Sequence, residues 1–109
     1  TTRAKQDLLG VPEEVLRAHG AVSAPCAEAM ARGICERSGS ACGLSVTGIA
    51  GPDGGTPQKP VGTVFVGVAV SGHVASKRFR FLGDRVAIKW QSAQTALDLL
   101  RRSLGGVRP

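Results

Sequence analysis

Residues Thr63 to Val70 read Thr-Val-Phe-Val-Gly-Val-Ala-Val, apolar at odd and even positions alike. Successive side chains of a strand point to opposite faces, so a strand of this kind has no face for water. It belongs at the centre of a sheet that helices cover on both sides. A chain of 109 residues has room for one such core. The run falls far short of the roughly 18–20 apolar residues a membrane helix needs, so no membrane partner is expected. Hydrophobic residues at 42% and charged residues at 20% describe an ordinary globular domain, not a disordered or fibrous one.

The rest of the chain supplies the covering elements. Leu8 to Gly20 predicts a short helix, with Pro12 in its first turn, Glu13 and Glu14 at its positive end and Gly20 at its exit. Ser23 suits the N-cap of a second helix in which Val22, Cys26, Met30 and Ile34 recur every four residues, with Ala27 and Ala31 beside them. Its small residues let it lie close against a sheet, and Gly39 ends it. Cys26 and Met30 are read as packing groups. Leu44 to Ala50 alternates as a strand, with Ser45 and Thr47 on one side. Ser71-Gly72 predicts a tight hairpin turn into an edge strand over His73 to Phe81. Asp84 is expected to cap a long helix whose apolar positions, Val86, Trp90, Ala93, Leu97, Leu100 and Leu104, step by four and three residues. The order predicts an α/β fold with a mixed sheet.

Charge and cysteine content bound the chemistry. Fourteen basic against eight acidic residues give +6, which favours phosphates without saying which. With one Trp, three Phe and no Tyr there is no base-stacking platform, and nucleic acid is not the expected partner. Cys26, Cys35 and Cys42 are an odd set without C-x-x-C spacing or zinc-like histidine neighbours, so thiols in a reducing cytoplasm are expected and no metal site. Thr1 to Gly10 has no secretory signal pattern, and the sole methionine is Met30, consistent with a processed or partial chain. His19 and His73 are read as structural or exposed. Lys77, Arg78, Arg80, Arg85 and Lys89 form a local basic cluster that suits either a nucleotide phosphate or a solvated face.

The loop from Gly48 to Gly62 carries the most specific signal. Gly48, Gly51, Gly54 and Gly55 let the backbone approach a ligand, Thr47 adds a hydroxyl, Lys59 a charge, and Pro52, Pro57 and Pro60 limit its freedom. It is neither a Walker A nor a dinucleotide-binding loop. The residues alone leave two readings open: a preorganised phosphate or oxyanion site, or a long hairpin connection that uses glycine and proline only to turn.

Beyond those readings, the run T-G-I-A-G-P-D-G-G-T-P-Q-K-P-V-G-T-V, preceded by G-A-V-S-A-P-C-A-E-A-M-A-R-G and followed by F-L-G-D-R, resembles the C-terminal domain of the competence/damage-inducible CinA family. The resemblance covers Thr1 to Leu104. It implies a three-layer α/β/α sandwich with a mixed β-sheet and a nicotinamide-nucleotide amidohydrolase activity in pyridine-nucleotide salvage. That activity converts nicotinamide mononucleotide to nicotinate mononucleotide and ammonia, with no cofactor. By the same resemblance Lys5 matches the family's catalytic lysine and Thr47 its active-site threonine. Gly48, Ala50 and Gly51 then hold the nucleotide, and Arg85 of G-D-R faces its phosphate.

The family's nucleophilic serine lies in an E-S-C-T-G-G motif that does not occur in these 109 residues. The expectation is an N-terminally truncated domain over residues 1–109 that is inactive alone, or a noncatalytic nucleotide- or protein-binding module of the same fold. The uncovered sheet edge and helix faces of such a piece are expected to drive homo-oligomer formation.

Overall fold

The computed structural model describes residues 11–105. Six elements follow one another: α1 (Glu13–His19), α2 (Ala24–Ser38), β1 (Cys42–Gly48), β2 (Thr63–Val70), β3 (His73–Arg80) and α3 (Arg85–Gly105). The strands form one sheet in the order β1-β2-β3, so β2 is central, as its two-sided apolar pattern requires. Both pairings are antiparallel, with Ser45 opposite Gly67 and Gly67 opposite Ser76. The parallel pairing that would make the sheet mixed is not among the described strands. Helices α1 and α2 lie on one face and α3 on the other, which gives the three layers.

The two faces of the sheet are built differently. Toward α3 the strands present Val64, Val66 and Val68, which pack with Ile88 and Ala96 and are flanked by Leu44, Val70 and Phe79. Toward α2 they present Gly43, Ser45, Gly67 and Ala69, all small. A Cβ on Gly67 would lie 2.2 Å from the carbonyl oxygen of Ala27, and one on Gly43 would lie 2.5 Å from that of Ala31. Ala27 and Ala31 are themselves fully buried, so helix backbone rests almost directly on strand backbone. The close approach expected from the small residues of α2 is realised. Cys26 and Met30 turn instead toward α1, in a second cluster with Val11 and Leu16.

The predicted boundaries hold where local chemistry sets them. Ser23 caps α2, its hydroxyl oxygen accepting from the Cys26 N–H at 3.3 Å, and Gly39 leaves the helix with φ 68°. Asp84 caps α3, with Oδ1 accepting from the Ala87 N–H at 2.9 Å. Ser71 and Gly72 have φ 49° and 85°, the positive pair a two-residue hairpin turn demands. Other boundaries move. Pro12 is the N-cap of α1, extended at ψ 141°, and does not enter the first turn. Strand β1 runs two residues earlier than expected at each end, leaving the ladder after Gly48 although the Ile49 N–H still donates to the Thr63 carbonyl.

The largest correction concerns α3. Its sheet-facing stripe is Ile88, Ser92 and Ala96, whereas Val86, Trp90 and Leu97 of the expected core stripe are 75%, 65% and 58% exposed. Helix periodicity weighted by side-chain size selects the bulky stripe. Packing on a sheet already filled by valines selects the smaller one. Ser92 is tolerated there because its hydroxyl donates to the Ile88 carbonyl at 2.7 Å.

Two stability outcomes follow. Gly67→Ala forces α2 away from the sheet and lowers the unfolding free energy by about 3 kcal/mol, the upper range for overpacking. In chemical denaturation Ile88→Ala costs about 3 kcal/mol, while Leu97→Gln stays within about 0.5 kcal/mol, because its side chain already meets solvent.

Candidate functional site

The sequence puts the loop between β1 and β2 at the carboxyl end of one strand and the amino end of the next, and basic side chains fix it there. Lys59 Nζ donates to the carbonyls of His19 and Val22, tying the loop to the α1–α2 connection. Arg78 Nη2 donates to the Gln58 carbonyl at 2.7 Å, and Arg80 Nε to that of Val61 at 3.1 Å. Arg85 Nη1 reaches the Gly51 carbonyl at 3.1 Å. Lys59 and Arg78 also lie over the Phe65 ring, 5.9 and 5.6 Å from its centroid. The loop is therefore a clamped object, with its outward carbonyls neutralised by cations.

Two glycines make that path possible. Gly51 has φ 81°, and a Cβ there would meet Val61 Cγ1 at 2.6 Å. Gly62 has φ 96°, and a Cβ there would lie 2.0 Å from the Phe81 carbonyl oxygen. The Gly51–Pro52 peptide is cis.

Beside the anchored loop a cleft of about 330 Å³ opens between the end of β1 and the first half of α3. Val46, Val64 and Ile88 make its apolar floor, Gly48 and Ala50 one wall, and Ser92 and Ala93 the far side. Arg85 and Lys89, one helical turn apart, bring positive charge to it, and among the described residues no carboxylate lines it. The volume suits a small organic ligand, and the combination of apolar floor and cations suits an anionic one.

Of the residues singled out by sequence, Gly48, Ala50 and Arg85 meet in this cleft, and Gly51 joins them through its bond to Arg85. Thr47 lies on the opposite face of β1, 4% exposed, its hydroxyl donating to the Ala21 carbonyl at 2.8 Å. Ser45 shares that face and donates to the Ala27 carbonyl at 2.6 Å, so its hydroxyl is directed at helix backbone. Lys5 lies outside the described residues. Lys59, read as a charge for an anion, faces backbone carbonyls instead. Val46, Ile88 and Ser92 were not singled out for a site, and Lys89 was named only within a basic cluster suiting either a nucleotide phosphate or a solvated face; the structure places it at the cleft. Among the described residues no cluster of three or more histidine, cysteine, aspartate or glutamate side chains could hold a metal, and no helix is long and apolar enough to cross a membrane.

Three layers, an antiparallel sheet and a loop-walled cationic cleft define an α/β/α sandwich domain. Residues 1–104 match the family model of the CinA C-terminal domain, and the chain belongs to that family. A CinA-like protein of Syntrophotalea carbinolica is 54% identical over 104 residues, 95% of this chain and 25% of that protein. A CinA-like protein of Gemmatimonas aurantiaca is 57% identical over 95 residues, 87% of this chain and 22% of that protein. The chain thus spans about a quarter of these curated relatives. Among solved structures, a CinA superfamily protein from Klebsiella pneumoniae superposes with TM-score 0.92 at 34% identity, covering 97% of this chain and 66% of that one. The competence/damage inducible protein CihA from Agrobacterium tumefaciens gives 0.87 at 42% identity, covering 92% and 62%.

Lys59→Met keeps the aliphatic stem and removes two carbonyl contacts. It is expected to lower stability by about 1–2 kcal/mol and to make the segment 48–62 the first site of limited proteolysis. Unchanged proteolytic resistance would show that the loop is held without Lys59.

Proposed function

We propose that this chain is the nucleotide-holding part of an amidohydrolase acting on nicotinamide mononucleotide. The reaction adds water across the carboxamide, giving nicotinate mononucleotide and ammonia in cytoplasmic pyridine-nucleotide salvage. The single observation that supports this reading most is the Arg85–Gly51 bond, which joins G-D-R to T-G-I-A-G-P at the rim of the cationic cleft. In this reading Gly48, Ala50 and Gly51 present backbone to the substrate, and Arg85 meets its phosphate.

The chemistry also needs a nucleophile and a base. Lys5 is the proposed base. A lysine accepts a proton from a serine hydroxyl only when neutral, a state that burial or nearby positive charge promotes. The serine would come from an E-S-C-T-G-G segment, which these 109 residues do not contain. Thr47, matched by resemblance to the active-site threonine, sits on the other face of β1, and in this reading its bond to the Ala21 carbonyl holds the strand end from which Gly48 and Ala50 enter the cleft.

A second reading, a noncatalytic nucleotide-binding module, is favoured by one observation. Ser92, which lines the cleft, and Ser45, on the other face of β1, both donate to helix carbonyls.

Ammonia release from nicotinamide mononucleotide separates the two. A form extended upstream with an E-S-C-T-G-G segment is expected to release ammonia, and the chain alone is not. Lys5→Ala is expected to reduce the rate by about 10²–10⁴-fold, the usual range for a lost general base. Absence of ammonia from the extended form, with nucleotide binding retained, would establish the noncatalytic reading.

A further inference from the structure

The basic residues of segment 77–89 divide by what they touch. Arg78, Arg80 and Arg85 donate to the carbonyls of Gln58, Val61 and Gly51. Lys77 sits over the Phe79 ring at 5.6 Å. Farther along α3, Arg101 and Arg102 pair with Asp98 at 2.6 and 2.9 Å, and their hydrogen bonding and charge hold its carboxyl below the usual aspartate range. Lys89 differs: among the described residues it has no carboxylate, carbonyl or ring partner, and it lines the cleft.

Its position relative to Arg85 gives that difference a use. The two are four residues apart on α3, so they share a helix face, and like charges at this spacing repel. Among the described residues no carboxylate lining the cleft relieves that repulsion. The Gly51 carbonyl takes one of the five N–H donors of the Arg85 guanidinium and so fixes where the rest of the planar fork lies. An anion between the fork and the Lys89 ammonium would gain charge-assisted hydrogen bonds from both. A phosphate monoester carries a charge of about −1.5 to −2 near neutral pH, matching the two cations, whereas a single carboxylate would leave one unmatched. The apolar floor of Val46, Val64 and Ile88 would lie under the sugar and ring attached to such a phosphate.

We propose that Lys89 and Arg85 form a two-cation grip for the terminal phosphate monoester of the ligand, and that this grip makes the cleft select nucleotides over the corresponding nucleosides. The inference rests on the cleft being the substrate pocket of the proposed amidohydrolase, and it adds Lys89 as the specificity-determining residue. Arg85 supplies the oriented donors. Lys89 supplies the second charge, which sets the preference for a dianion.

The test uses ribose 5-phosphate, which carries the phosphate monoester and lacks the nicotinamide, so binding is read without any amide chemistry. The chain is titrated calorimetrically with ribose 5-phosphate and with ribose, alongside Lys89→Gln and Lys89→Arg. The expected result is binding of ribose 5-phosphate but not ribose, weakened about tenfold or more in Lys89→Gln and restored to within about threefold in Lys89→Arg. Equal affinity of Lys89→Gln and the unaltered chain would overturn the grip, as would ribose 5-phosphate binding no better than ribose. Binding as expected, with no ammonia released from nicotinamide mononucleotide by the extended form, would leave the grip standing and refute only the amidohydrolase reading. A thermal melt of each variant checks that its fold is intact, which the exposed position of Lys89 favours.

Discussion

The contact on which the rest of this domain depends is between backbones: the carbonyls of Ala27 and Ala31 against the strands at Gly67 and Gly43. No side chain intervenes, so α2 sits within reach of hydroxyls on β1, and Ser45 and Thr47 donate into the helix and its entry. The usual logic of a strand is inverted as a result. The polar side of β1 is buried and satisfied, while Val46 on the apolar side is 40% exposed at the cleft. Had that face carried valines, α2 would stand farther off, and the strand end that leads into the T-G-I-A-G-P loop would lose its hydrogen-bonded anchor.

The loop depends in turn on cations aimed at its carbonyls. A fifteen-residue segment, 48–62, with little regular structure leaves many backbone groups without ladder partners. Arg78, Arg80 and Arg85 each satisfy one of its carbonyls, and Lys59 reaches out of it to two more in the α1–α2 connection. Much of the local positive charge is therefore internal structure. A net charge of +6 overstates what remains to attract a polyanion, and Lys89 stands out only against that background.

How much of this was legible in the sequence varied with the range of the interaction. Thr63–Val70 was readable to the residue, because a strand covered on both faces leaves an unbroken apolar run between turn signals. Ser23, Gly39, Asp84 and the Ser71-Gly72 turn were equally readable, since caps and turns are settled within four residues. The orientation of α3 was not. Its two stripes, Val86–Trp90–Leu97 and Ile88–Ser92–Ala96, are both helical in period, and only the valine face of the sheet chooses between them. The site shows the same division. Gly48, Ala50 and Arg85, which only the family resemblance had grouped, line one cleft, whereas the partners of Lys59 lie 37 and 40 residues away and have no local signature.

The central claim is that the cleft between β1 and α3 is where this CinA C-terminal domain takes its ligand. Amide chemical-shift mapping of the isotope-labelled chain during titration with nicotinamide mononucleotide tests it most directly. The predicted result is a saturable set of shifts confined to residues 46–51, 64 and 85–93. Shifts centred instead on the groove formed by Arg32, Glu36, Ser40 and Gly72, at the other end of the sheet, would contradict it; so would a spectrum that does not change.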